Sequence, residues 1–285
     1  MLPRFQPTNE RKTLKISSGY QPEQLINFVK NKIEFMSPPK DCGVISGSTP
    51  VVSFGDFTKS RVATIGINPS SAEFSDKSKN ATCNGLFPAD KKRLADLETV
   101  GILSTDPLDD DTAENYLDEK GAEQIWAGCR DYFLSPNAYW KWFGDLEVVL
   151  EPLSVSYKDS TACHLDLSPW ATDPVFSELT QVQQKNLLLG EADFLRWQIT
   201  KSPIELLLLN GAQTKESVFS LSDFHLGTVT EFSYTSGGTN RTSEFFSGWG
   251  PSGVRILGWT ANLQALQVTN EEKQDVFEKI KFWIV

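Results

Sequence analysis

The sequence predicts an α/β fold: a three-layer α/β/α sandwich around a central four-stranded parallel sheet, with one helical and one β-hairpin insertion. Two observations lead there. Four short runs rich in β-branched residues or leucine each stop at small or polar residues, and helical stretches lie between them. Near-continuous apolar runs of this length suit strands buried on both faces, as in a parallel sheet whose crossovers are helices. Alternation of strand and helix then puts helices on both faces of the sheet.

In chain order, residues 22–35 read as an amphipathic helix. Strands are expected at 61–67 (RVATIGI), 161–167 (TACHLDL), 204–209 (IELLLL) and 254–257 (VRIL). Helices are expected at 89–100, 111–133, 139–149, 177–199 and 212–219, and a last amphipathic one at 270–283. Two stretches depart from this plan. Residues 104–150 form a helical excursion that opens with Asp106, Asp109, Asp110, Asp111 and Glu114. These carboxylates suit a solvated loop and helix N-terminus, with a metal site as the other reading. Residues 228–249 alternate around TSGGTNR as a β-hairpin does, at the sheet edge or over a ligand cleft. There is no internal repeat and no long linker, so residues 1–285 are expected to form a single domain.

Hydrophobic residues make up 39% of the chain, with 8 Trp and 18 Phe, which excludes a disordered or low-complexity class. No apolar run approaches the ~20 residues of a membrane helix. The opening MLPRFQPTNERKTLK lacks the apolar core of a secretory signal. Cys42, Cys83, Cys129 and Cys163 lie far apart with only two histidines to help. That argues against structural zinc and for reduced thiols in a cytoplasmic protein. The net charge of −10 means that a nucleic-acid partner must be gripped locally rather than by a basic coat.

Ligands of open parallel sheets bind beyond the carboxyl ends of the strands. The candidates there are Asn68 and Ser70, Asp166 and Ser168, Asn210, then Trp259, Thr260 and Asn262. The set holds no Cys–His pair, no G-x-S-x-G elbow and no glycine-rich phosphate loop. With His164 inside a strand and His225 in a loop, a Ser-His-Asp triad has little to build on. Amides, one carboxylate, hydroxyls and aromatics suit recognition of a flat heterocycle and placement of a water.

The segment VATIGINPSSAEF resembles the first motif of the uracil-DNA glycosylase superfamily, in the G-I-N-P form of its mismatch-specific thymine/uracil branch. IELLLLNGAQTKESV is similar to a later strand and helix of that superfamily, and LETVGIL to a helix ending in glycine. GWTANLQ stands where the second motif, usually H-P-S-P-L or N-P-S-G-L, follows the last strand. The agreement spans residues 61–267 without the two insertions.

The resemblance implies a DNA N-glycosylase that flips out a pyrimidine-type base, works as a monomer, and needs no metal or organic cofactor. Asn68 matches the amide that holds the attacking water. An amide orients water without deprotonating it, so the sugar must become oxocarbenium-like. Read alone, Asn68 before Pro69 is also a helix cap. Phe87, with Phe74 as competitor, is the expected stacking platform for the base, and Asn210 is a further base-binding candidate. Asp166 stands where uracil-specific members place a base-reading Asn. A carboxylate only accepts, which favours an exocyclic amine such as that of cytosine. Its other readings are a cap for residues 167–169 or a partner for Arg61. Ser70 and Thr260 are expected at the DNA backbone, and Trp259 or Leu263 as the wedge that fills the emptied stack, with Trp259 equally placed for core packing.

The second motif lacks the usual His or Asn and the Pro. With the acidic charge and the insertions, this points to a specialised substrate, a modified cytosine, such as some prokaryotic members remove in phage defence. Aromatics of the insertions (Trp126, Tyr139, Trp140, Trp142, Tyr234, Trp249) are expected to wall a wide pocket. The alternatives are a non-catalytic module of the same fold that binds modified bases or a protein, a housekeeping uracil or mismatch repair glycosylase, and a hydrolase of small nucleosides.

Overall fold

A computed structural model describes residues 22–75, 86–102, 117–266 and 268–285. Its centre is one six-stranded sheet flanked by helices, an α/β sandwich. The four expected strands are β1 (Val62–Gly66), β2 (Ala162–Asp166), β3 (Leu206–Asn210) and β6 (Arg255–Trp259), all mutually parallel where they pair. The sheet exceeds the expected four strands because the hairpin joins it. β4 (His225–Ser236) and β5 (Thr239–Trp249) extend it antiparallel beyond β6, giving the order β2-β1-β3-β6-β5-β4.

The hairpin turns at Gly237 and Gly238, whose φ values of 59° and 75° need glycine. It is bound to the sheet through its side chains as well as its ladder. Phe246 is fully buried against Gly258, where an added Cβ would collide with its ring. Phe245 stacks on Trp283 of the last helix, α7 (Asn270–Ile284), at 5.2 Å.

The helices are α1 (Pro22–Glu34), α2 (Glu119–Arg130), α3 (Trp140–Leu150), α4 (Gln181–Leu188), α5 (Ala192–Lys201), α6 (Ala212–Phe219) and α7. The expected helix at 177–199 is two helices, because Gly190 at φ 90° breaks the run. The expected helix at 89–100 is a single 3-10 turn at Ala89–Lys91 followed by a loop. There the Asp96 carboxylate accepts from the Thr99 N–H and hydroxyl and from Lys92, a local arrangement that competes with helix formation. α2 starts at Glu119 on the cap made by Asp118, whose side chain takes the Gly121 N–H at 2.7 Å. Asp106, Asp109, Asp110, Asp111, Glu114 and Cys83 lie outside the described residues. No helix among the described residues is long and apolar enough to cross a membrane.

Candidate active site

A cavity of about 460 Å³ opens beyond the carboxyl ends of β1, β2 and β3, a size that suits a small organic ligand. β2 builds one wall by its two-residue period: His164 and Asp166 share a face, while Cys163 and Leu165 point the other way into the core. The parallel register sets Thr64 beside His164 and Gly66 beside Asp166. Gly66 is needed there for space. A Cβ on residue 66 would lie 2.8 Å from His164 Nε2 and would collide with Asp166 Oδ1.

A buried polar chain leads up to the cavity. Tyr157 Oη lies 2.6 Å from Thr64 Oγ1, which lies 2.7 Å from His164 Nδ1. Burial pushes the Tyr157 phenol well above its ordinary value, so it keeps its proton. Tyr157, Thr64 and His164 thus form one continuous run of hydrogen-bonding groups. Nε2 stands 3.3 Å from Asp166 Oδ1, and both side chains are 3% exposed. This answers the two other readings of Asp166. Its partner is His164, while Arg61 pairs with Glu205 at 3.1 Å.

Asn68 follows β1 at the cavity wall. Its Nδ2 donates to the Trp170 carbonyl at 3.0 Å and to Thr172 Oγ1 at 3.1 Å. Among the described residues nothing donates to its Oδ1, which is not one of the sealed polar atoms and so opens to the cavity. The local cap is Ser70 rather than Asn68: Ser70 Oγ accepts from Ala72 N and starts the 3-10 turn at Ser71–Glu73. Ser70 itself is exposed at the cavity rim.

Several expected site residues stand elsewhere. Phe87 does not line the cavity, because its ring lies under the Arg93 guanidinium, and Phe74 is buried outside the cavity lining. The aromatic walls come instead from Phe54, Trp142, Phe143 and Phe176. Trp142 and Phe143 stand edge-on to His164 at 5.1 and 5.4 Å. Of the insertion tryptophans and tyrosines expected as walls, Trp142 lines the cavity, next to Phe143 of the same insertion; Trp126 is in the core, and the hairpin continues the sheet rather than walling the site.

Asn210 lines the cavity but has no capacity left for a base edge. Its Oδ1 takes Trp259 Nε1 at 2.7 Å and Leu263 N at 3.1 Å, and its Nδ2 donates to Asn262 and Gln264. Trp259 and Leu263 are both fully buried, so neither presents a side chain that can enter a duplex. Thr260 Oγ1 is held by Ser243 Oγ and Glu244 N, which removes it as a phosphate ligand. The exposed large apolar side chain on the cavity rim is Val175, 44% exposed, in the loop after β2.

Glu73 and His164 are cavity residues that the sequence reading passed over. His164 was findable from its two-residue spacing to Asp166. Glu73 had no such signal, because its setting depends on Tyr132, 59 residues away, whose hydroxyl donates to Oε2 at 2.6 Å. Burial is the main force that raises the Glu73 carboxyl to about 7. The Tyr132 hydrogen bond and Arg93 pull it down, and the Asp166 charge pushes it up. The same burial, with Glu73 beside it, drives the Tyr132 phenol far above its ordinary value. Among the described residues no Lys or Arg lines the cavity, so it favours a ligand that offers hydrogens over one that carries phosphate. No protein-family model matches the chain, and no curated protein matches it.

Proposed function

We propose that the protein is a DNA N-glycosylase that extrudes a pyrimidine-type base, a modified cytosine, and hydrolyses its glycosidic bond to leave an abasic site. The observation that carries this reading is the open Oδ1 of Asn68, fixed through Nδ2 to the wall of a cavity that also holds Asp166 and several aromatic side chains. In this reading an extruded base lies against the aromatic wall of Phe54, Trp142, Phe143 and Phe176, with its exocyclic amine toward Asp166. Asn68 then holds water at the sugar, where placement and electrostatics supply the rate. The cavity exceeds what an unsubstituted ring fills, which suits a base with a bulky substituent and, in a cytoplasmic monomer, a role in phage defence.

The test is incubation with genomic DNA from phages carrying unmodified, 5-methyl-, 5-hydroxymethyl- and glucosylated cytosines, with mass spectrometry of released bases. Release of a cytosine derivative supports the reading. Tight binding without release supports a silent module of the same fold, release of uracil alone supports repair, and cleavage of free nucleosides supports a nucleoside hydrolase.

A further inference from the structure

The cavity holds a carboxyl group that the reading above leaves without a task. Glu73 is 3% exposed and lines the cavity five residues beyond Asn68. Oε2 is occupied by the Tyr132 hydroxyl. Oε1 accepts nothing from the described residues. Among the described residues, the sealed polar side-chain atoms without partners are Trp126 Nε1, Glu191 Oε2, Ser202 Oγ and Trp283 Nε1. Oε1 is not one of them, so it opens to the cavity. Its charged and titratable surroundings are Tyr132 from the turn after α2, Arg93 anchored on the Ala72 carbonyl, and Asp166 with His164 from β2.

We propose that Glu73 is the general acid that protonates the departing base, an inference that rests on the glycosylase reading. A cytosine-type base leaves poorly as an anion, and among the described residues no Lys or Arg lines the cavity to stabilise one. In the step, the proton on Oε1 moves to a ring nitrogen or carbonyl oxygen of the base while the C1′–N bond breaks and its electron pair passes to the base. The water held by Asn68 adds to the cationic sugar and gives its proton to solvent, and Glu73 regains one from solvent at the cavity mouth. One water is consumed and a neutral base departs. The raised value of about 7 means that a large fraction of Glu73 carries this proton at neutral pH.

The experiment compares wild type with Glu73→Gln on the same phage DNA panel, under single turnover and across pH. Wild-type release should fall as pH rises through about 7, because the acid form is required. Glu73→Gln should lose ~10²-fold or more in rate and lose that alkaline limb. A Glu73→Gln rate within about threefold of wild type, or an unchanged alkaline limb, overturns the role of Glu73 alone. Release of no base by wild type overturns the glycosylase reading and this role with it. Should Glu73→Gln fail to fold, Tyr132→Phe is read instead. It removes a hydrogen bond that pulls Glu73 down, so the alkaline limb should move to higher pH, and a limb that stays in place overturns the proposal.

Discussion

Gly66 faces Asp166 across the β1–β2 ladder so closely that a single added methyl group would collide with Asp166 Oδ1 and come within 2.8 Å of His164 Nε2. The glycine of the G-I-N-P segment is therefore the floor on which the His164–Asp166 pair rests. Gly66→Ala should push Asp166 off its place and cost about 1–3 kcal/mol of stability, the usual range for overpacking. Base release should drop by more than that loss of folded protein explains. Denaturant titration and release rates on one preparation check this, and an unchanged rate would remove Asp166 from the site.

Asn68 has a division of labour within one amide. Nδ2 ties it to Trp170 and Thr172, and Oδ1 is left open to the cavity, where the proposed function has it hold water. Asn68→Ala should lower release by ~10² or more while DNA binding changes little. Stability should fall by roughly 0.5–1.5 kcal/mol for each lost hydrogen bond. Retained turnover, measured by abasic-site formation, would strip Asn68 of the role.

The wedge separates two kinds of apolar residue. Val175 is 44% exposed at the rim, whereas Trp259 and Leu263 are fully buried. Val175→Ala should weaken extrusion of the base, seen as lower fluorescence of 2-aminopurine opposite the target, with an unchanged midpoint of unfolding. Trp259→Ala should instead cost about 3–5 kcal/mol in stability. Equal extrusion by Val175→Ala and wild type would place the wedge elsewhere.

The central strands were readable because burial on both faces leaves an apolar run such as Leu206–Leu209 with few other structural options. The hairpin was readable from its alternation and glycine pair, but its union with β6 depends on Phe246 meeting Gly258, a contact between elements. The site was readable only in part for the same reason. Asn68 and Asp166 stand at strand ends and do line the cavity. Asn210 and Trp259 stand at strand ends too, yet each satisfies the other at 2.7 Å, a pairing that no local pattern announces. The loop at 92–102 misled the helix expectation because one carboxylate, Asp96, gathers its donors locally.

Glu73 gives folding a pH dependence of definite sign. Its carboxyl ionises at about 7 in the folded chain against 4.5 for an ordinary glutamate, mainly through burial. Below pH 4.5 both folded and unfolded chains hold the proton and the stabilising effect is complete. Between 4.5 and about 7 the unfolded chain releases it first, so stability falls as pH rises, and above about 7 the loss is full. The span corresponds to about 3 kcal/mol. Urea unfolding of wild type should weaken between about pH 5 and 8 by that order relative to Glu73→Gln. Parallel curves for the two proteins would contradict the raised value.

On the proposed reading, specificity turns on Asp166. Its Oδ1 stands 3.3 Å from His164 Nε2, and Oδ2 has no partner among the described residues and opens to the cavity. An open carboxylate oxygen attracts the amine of a cytosine-type base and repels the carbonyl that uracil carries at the same ring position. A polar contact of this kind discriminates by roughly 1–3 kcal/mol, or about tenfold to a hundredfold in rate. Asp166→Asn keeps the size of the side chain and adds a donor, so uracil-containing DNA should become a substrate while release of cytosine derivatives falls. The assay is paired release from uracil DNA and from DNA with glucosylated 5-hydroxymethylcytosine, for both proteins. If Asp166→Asn gains nothing on uracil and loses nothing on the cytosine derivative, Asp166 does not read the base, and recognition must come from the aromatic walls and Glu73.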